Sequence, residues 1–288
     1  MFGRQKLPGP MVPIARLAGG SPARKGLLRL PEYTDAAPRN PALCRSADQG
    51  MTEWYPPVMI GAAAVTGRLT GSDRYVREAQ ALLQRLESDS YSDYMKAYYQ
   101  DGLDRFGADW GFADIVVVLM ALTDLLKPRR YLEIGVRRGR SVCAVASRVP
   151  GVDLAMFDMW ISNYAGMDNP GPQLIERELD KIGHTGRRDF VDGNSHQTVP
   201  EFFRANPDVF FDVITVDGDH SEQGAIDDLC DVLPHLSVGG AIVFDDVCHP
   251  KHMGLNGIWQ RLIESDPRFS SWTYTDVGYG VGFAIRKW

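Results

Sequence analysis

The chain has 288 residues, enough for one large α/β domain with an appended segment. Its 37 acidic residues outnumber 31 basic ones, and the formal net charge of −6 argues against a nucleic-acid partner, because a phosphate backbone calls for a basic face. Four cysteines (Cys44, Cys143, Cys230, Cys248) with no C-x-x-C pair exclude a disulfide framework and point to a reducing, cytoplasmic compartment; no apolar run reaches the ~20 residues that span a bilayer, so no membrane partner is expected.

Residues 1–50 read as an irregular basic arm. Its first 31 residues carry Arg4, Lys6, Arg16, Arg24, Lys25 and Arg29 with no acid, and they are broken by Pro8, Pro10, Pro13 and Pro22, so the continuous apolar stretch of a signal peptide is missing. Such an arm suits wrapping of a neighbouring subunit, and a homo-oligomer is expected. Residues 51–109 read as a helical, aromatic-rich extension. The pattern is clearest over 75–86, entered from Ser72 and Asp73 as cap residues. Tyr91, Tyr94, Tyr98, Tyr99, Phe106 and Trp110 then crowd one short stretch, where they can either close as a lid over a ring-shaped substrate or pack into the core.

From residue 110 onward, strand and helix signals alternate, the signature of a parallel sheet covered on both faces. A buried helix over 115–126 precedes a strand at 131–134, and the next helix has Val142, Val145, Ala146 and Val149 on one face. Further strands are expected at 153–157, ending in Asp158, near Val191, at 211–216 and, after Gly239 and Gly240, at 241–244. Ile226, Leu229, Cys230 and Leu233 mark a helix between the last two of these, and Ile258, Trp259, Leu262 and Ile263 mark another. Strands at 272–275 and 281–285, joined by 276–280, close the chain as an antiparallel hairpin.

The most specific stretch is residues 131–141, YLEIGVRRGRS. A dinucleotide fingerprint needs G-x-G-x-x-G, but Glu133 stands in place of the first glycine and Arg138 in place of the third. Gly135 and Gly139 allow close backbone approach, and Glu133 offers a carboxylate to a ligand with a cationic end, with Ser141 opening the following helix. S-adenosylmethionine has such an end and no phosphates. In this spacing, Glu133-x-Gly135-x-x-x-Gly139, the chain resembles the class I S-adenosylmethionine-dependent methyltransferases over 110–288. The resemblance implies a Rossmann-like, mostly parallel seven-stranded sheet with an antiparallel last strand. It also implies that Asp158 binds the ribose hydroxyls, though a helix cap is the plain alternative. Asn194 and Ser195 are placed to reach the adenine end, or to make an ordinary turn.

Ligands bind beyond the carboxyl ends of the strands in open parallel sheets, and here those ends are acidic. Asp217 and Asp219 follow one strand; Asp245 and Asp246 follow its expected neighbour, about 4.8 Å away. A divalent cation would relieve their repulsion, and oxygen-only donors favour Mg²⁺, Mn²⁺ or Ca²⁺ over zinc. The arrangement resembles the metal-dependent O-methyltransferases of the catechol type and of the macrolide and aminocoumarin sugar type. That resemblance implies Asp217, Asp245 and Asp246 as metal ligands, with Asp217 also beside the cofactor, and a small hydroxylated acceptor. It places the base at His220, with His249 as the competitor. Two alternatives stand beside it: a protein that binds the cofactor without turnover, and a cephalosporin-hydroxylase-like iron oxygenase, which would need two histidines and a carboxylate on one face.

Overall fold

A computed structural model describes residues 58–164 and 168–288. The basic arm over 1–50 and the start of the 51–109 extension lie outside the described residues.

Three helices open the described chain: α1 (Ala62–Thr70), α2 (Arg74–Arg85) and α3 (Ser90–Phe106). Asp73 does stand at the head of α2, but its carboxylate pairs with Arg77 at 2.6 Å instead of capping the helix. α3 starts from a capping box in which the Asp89 carboxylate accepts from the Ser92 N–H and the Ser92 hydroxyl accepts from the Asp89 N–H. The apolar helix α4 (Ile115–Leu126) follows, its first turn held by the Asp114 carboxylate, which accepts from the Val117 N–H at 2.9 Å. Alternation then takes over: β1 (Arg130–Ile134), α5 (Arg140–Arg148), β2 (Asp153–Asp158), α6 (Pro172–Ile182), β3 (Arg188–Asp192), α7 (Ser195–Ala205), β4 (Phe211–Val216), α8 (Glu222–Val232) and β5 (Leu236–Asp245). The chain ends with α9 (Gly254–Trp259), a π-helical turn over Gln260–Glu264, β6 (Phe269–Tyr274) and β7 (Val281–Arg286).

The seven strands lie in the order β3-β2-β1-β4-β5-β7-β6. All pairings are parallel except those of β7, which runs antiparallel to both β5 and β6. Every residue of β4 and β7 is buried, as strands covered on both faces must be. β5 starts five residues before the expected Ala241. The two glycines lie inside the strand, where Phe211 pairs with Leu236 and Val213 already with Ala241. Gly239 takes φ +79° there, and a Cβ on Gly240 would sit 2.7 Å from the Asp212 carbonyl oxygen.

Two apolar clusters sandwich the sheet. Period-two alternation of β1 sends Tyr131 to the side of α1–α6, and Leu132 and Ile134 to the side of α7–α9. Helices α1–α3 share the first cluster with the sheet: Val65, Leu83, Tyr99 and Leu103 belong to the same continuous core as Val243 and Phe283. The aromatic stretch divides its labour. Trp110 and Phe112 stack at 5.0 Å, Tyr98 meets both rings, and Trp110 fills the space that Gly102 leaves open on α3, where a Cβ would lie 2.2 Å from the indole. Tyr91 and Tyr94 line a cavity that Tyr98, Tyr99 and Phe112 also border, while Phe106 is exposed.

Because the chain runs outward from β1 to β3 and then returns to β4, the strand ends part between β1 and β4. This switch point is where an open α/β sheet offers a ligand crevice. Among the described residues no helix is long and apolar enough to cross a membrane.

Candidate active site

A cavity of roughly 1080 Å³ opens over the carboxyl ends of β1, β2, β4 and β5. Gly135, Ser141, Asp158, Asn194, Ser195, Asp217, Asp245, Asp246, His220 and His249 all line it, as does Arg137. Gly139 lies just behind, at the N-cap of α5 with φ +72°, where a Cβ would press on Ile175 at 3.0 Å.

Gly135 has φ +87°, and a Cβ there would fall 1.8 Å from the Asp217 carbonyl oxygen. The close approach that this glycine permits is therefore to the end of β4. Its N–H donates to the Phe157 carbonyl, and the Asp217 N–H donates to the Ile134 carbonyl, each at 2.9 Å. Three strand ends are thus stitched together under the crevice.

Glu133 does not reach the cavity. It is fully buried between β1 and α5, where the Tyr131 and Ser141 hydroxyls donate to its two oxygens and the Thr215 hydroxyl stands 2.8 Å from that of Tyr131. Burial pushes its carboxyl up to about 8, against the two hydroxyls and with help from the Asp217 and Asp158 charges. A carboxylate enclosed this way cannot meet a ligand's ammonium group directly. Asp158, by contrast, lines the cavity and is aimed by backbone: the Arg137 N–H reaches one oxygen and the Trp160 N–H the other, both at 2.6 Å. Arg137 and Trp160 both take positive φ, 52° and 41°, to make those contacts. Asn194 caps α7, its side-chain oxygen accepting from the His196 N–H at 3.0 Å.

At the β4 and β5 ends, His220 Nε2 lies 3.3 Å from Asp217 Oδ1 and 3.3 Å from Asp246 Oδ2. One ligand atom from each of these three residues falls within 4.8 Å of the others. Asp245 lines the cavity but lies outside this group. Asp246 takes the left-handed conformation, φ +60°, and the His249 N–H donates to its carbonyl at 3.0 Å. Burial, with repulsion from Asp217, pushes the Asp246 carboxyl up to about 7, and burial with repulsion from Asp217 and Asp246 holds Asp245 well above the carboxylate range. His220 is raised, chiefly by its hydrogen bond with Asp217.

His249 stands at the outer end of the same wall. Its Nδ1 accepts from the Lys251 N–H at 3.1 Å, and its ring lies 4.2 Å from Tyr279 and 4.7 Å from His252. His252 in turn stacks on His220 at 5.0 Å. Burial and the neighbouring His252 hold His249 below the usual histidine value. Sequence reasoning missed His252 and Tyr279, which lie on loops with no periodic signal. It also passed over His196, which follows Ser195 directly and sits 3.5 Å from Asp219. The oxygenase alternative needs two histidines with a carboxylate, and the clustered group among the described residues holds one imidazole.

Residues 132–247, from β1 to just past β5, match the sequence profile of a family described as a methyltransferase domain. Over these residues the chain is similar to a methyltransferase domain, and they fall on the seven-stranded sheet described above. The match covers the strand ends that build the cavity. Solved structures with a similar course include the O-methyltransferase TomG from Streptomyces achromogenes, involved in tomaymycin synthesis and bound to S-adenosylmethionine. It is 18% identical, with 70% of this chain and 92% of that one covered, at a TM-score of 0.49. An O-methyltransferase from Bacillus cereus, in complex with S-adenosylhomocysteine, is 17% identical over 78% and 96% of the chains, at 0.48. CalS11, a TDP-rhamnose 3′-O-methyltransferase of calicheamicin biosynthesis, is 20% identical over 86% and 97%, at 0.47. No curated protein matches the sequence.

Proposed function

We propose that this methyltransferase domain acts on a hydroxyl oxygen of a small molecule, with a divalent cation at the β4–β5 end of the cavity. The observation that carries the reading is the Asp217–His220–Asp246 group, set in the wall of a cavity whose other side is the glycine turn and Asp158. The donor set fits a hard cation: carboxylates dominate, and the raised Asp245 and Asp246 mark an acid cluster short of positive charge. Asp217 and Asp246 would hold the ion, with Asp245 behind them. When bound, it would lower the pKa of the acceptor hydroxyl and orient it.

The chain's own residues would do the rest. Asp158, fixed by two backbone N–H groups, receives the ribose hydroxyls of the donor, and the Asn194–Ser195 turn flanks the adenine. His220 is the base that takes the hydroxyl proton. Its Nε2 stands between two acids that favour the imidazolium it becomes, whereas His249 is spent on Lys251 and Tyr279. Tyr91, Tyr94 and Tyr279 wall the space left for the acceptor, which suits a flat ring or a sugar face. Displacement at the methyl carbon needs only alignment of oxygen and methyl, which this enclosure supplies.

The test is transfer of a labelled methyl group from S-adenosylmethionine to a panel of phenols, sugars and polyketide alcohols, with Mg²⁺ or with EDTA. Turnover lost in EDTA and restored by Mg²⁺ is expected; undiminished turnover in the chelator would remove the cation from the reading. Donor binding without transfer to any acceptor would favour the non-catalytic alternative.

A further inference from the structure

A contiguous group of exposed apolar side chains marks a surface that something else covers, and among the described residues most of the large exposed ones line the one cavity. Three segments bring them there. Helix α3 supplies Tyr94 near its start, the chain after β2 supplies Ile161 and Tyr164, and the β6–β7 connection supplies Val277 and Tyr279. β2 and β7 stand on opposite sides of β1, β4 and β5, and Val281 at the head of β7 pairs with Asp245 at the end of β5. The last two segments therefore flank the opening from opposite sides.

These walls are anchored. Tyr94 stacks on Tyr98 at 6.2 Å, and the Tyr279 carbonyl accepts from the Cys248 N–H at 2.5 Å while its ring lies 4.2 Å from His249. Tyr164 reaches toward the acid wall: burial, helped by the charges of Asp217 and Asp246, pushes its hydroxyl up. The arginines of the lining, Arg137, Arg138 and Arg140, all belong to the β1–α5 turn, and the three rim segments add no arginine or lysine to it. An anionic acceptor would thus meet Asp217, Asp245 and Asp246 with no cation from the rim to offset them. Because the exposed apolar side chains are themselves cavity wall, the body that covers them is the one that fills the cavity.

We infer that the acceptor is an uncharged hydroxyl compound with an apolar extension, its hydroxyl at the Asp217–His220–Asp246 wall and its extension resting on Tyr94, Ile161, Tyr164, Val277 and Tyr279. The inference rests on the methyl-transfer reading above and narrows its acceptor to alkyl- or aryl-substituted alcohols and phenols.

Calorimetric titration of the full chain, loaded with S-adenosylhomocysteine and Mg²⁺, with catechols bearing a para hydrogen, methyl, butyl or hexyl group reads the subsite. Labelled-methyl transfer to the same compounds reads the chemistry. Affinity should climb about twofold to fourfold per methylene as the chain grows along the rim. A catechol with a carboxylate in the para position should bind at least about tenfold more weakly than its methyl counterpart. In Ile161→Ser and Val277→Ser the ratio of hexyl to methyl affinity should shrink several-fold, a ratio that a general loss of binding does not move. Both side chains are exposed and lie on separate segments, so one variant decides if the other fails to fold. Affinity flat along the series, a climb unchanged in both serine variants, or equal binding of the carboxylate overturns the inference, and transfer seen alongside leaves the methyl-transfer reading standing. A climb that the serine variants reduce, without transfer to these compounds or to the wider panel above, keeps the apolar subsite and overturns the methyl-transfer reading.

Discussion

Replacing Glu133 by Gln tests the buried end of β1. Folded, this carboxyl is pushed up to about 8 by burial; unfolded, it returns to its ordinary 4.5. The proton is thus bound in the folded state and lost in the unfolded one at neutral pH. The resulting stabilisation is complete below about 4.5 and drains away as the pH rises through about 8. Above pH 6 the unfolded chain holds Glu133 ionised while the folded chain keeps its proton, so each pH unit costs about 1.4 kcal/mol until the folded carboxyl itself begins to ionise near 8. Across that window the loss assigned to this residue is about 2 kcal/mol. Glutamine keeps the shape and can still bond to Tyr131 and Ser141, but it does not titrate. Urea unfolding of wild type and Glu133→Gln at pH 6, 7 and 8 therefore separates this group from the other raised acids, which both proteins share. The variant should lose about 2 kcal/mol less than wild type over the range. Parallel pH dependences would mean that Glu133 is ionised in the folded protein and that the reasoning is wrong.

Three further outcomes are expected. Gly135→Ala forces a Cβ to within 1.8 Å of the Asp217 carbonyl oxygen at φ +87°, so unfolding titrations should show a loss of about 3 kcal/mol or more, with donor binding at least tenfold weaker by calorimetry. Asp246→Asn should lower labelled-methyl transfer by about a hundredfold and make what remains indifferent to EDTA; full activity would exclude the cation role. His184 is buried, with Nε2 2.7 Å from the Val152 carbonyl and the Arg188 Nε–H donating to Nδ1 at 3.0 Å, and burial holds it below the ordinary histidine value. A group that stays neutral in the fold contributes stability above about pH 6.5 that is lost on acidification, so the melting temperature of wild type should fall more between pH 7.5 and 5.5 than that of His184→Gln.

The alternation of strand and helix signals after residue 110 was legible because each strand is a short apolar run ending in a polar residue, and the structure has a strand at every such run. The cavity lining was legible for the same reason: strand-end residues in a parallel sheet face one crevice. What escaped was direction. Glu133 is two residues from Tyr131 in a strand, so both side chains point to the same face; that parity was available in the sequence and says that the carboxylate lies beneath the turn. The left-handed conformation of Asp246 was not available, since adjacent aspartates do not announce it. The length of β5 was hidden because a glycine pair ordinarily marks a turn, and here it marks a bulge held by backbone contacts to β4. The row formed by His220, His252 and His249 depends on a loop fold that no local pattern encodes.

Helix α3 serves two ends: Tyr91 and Tyr94 line the cavity, Tyr99 borders it from within the main core, and Leu103, further on, is sealed into that core. Under the proposed function, acceptor preference and thermal robustness are consequently written on one rigid rod. Directed evolution toward bulkier acceptors should find that shifting or re-tilting this helix costs melting temperature, whereas point changes confined to its first turn retune selectivity with little penalty.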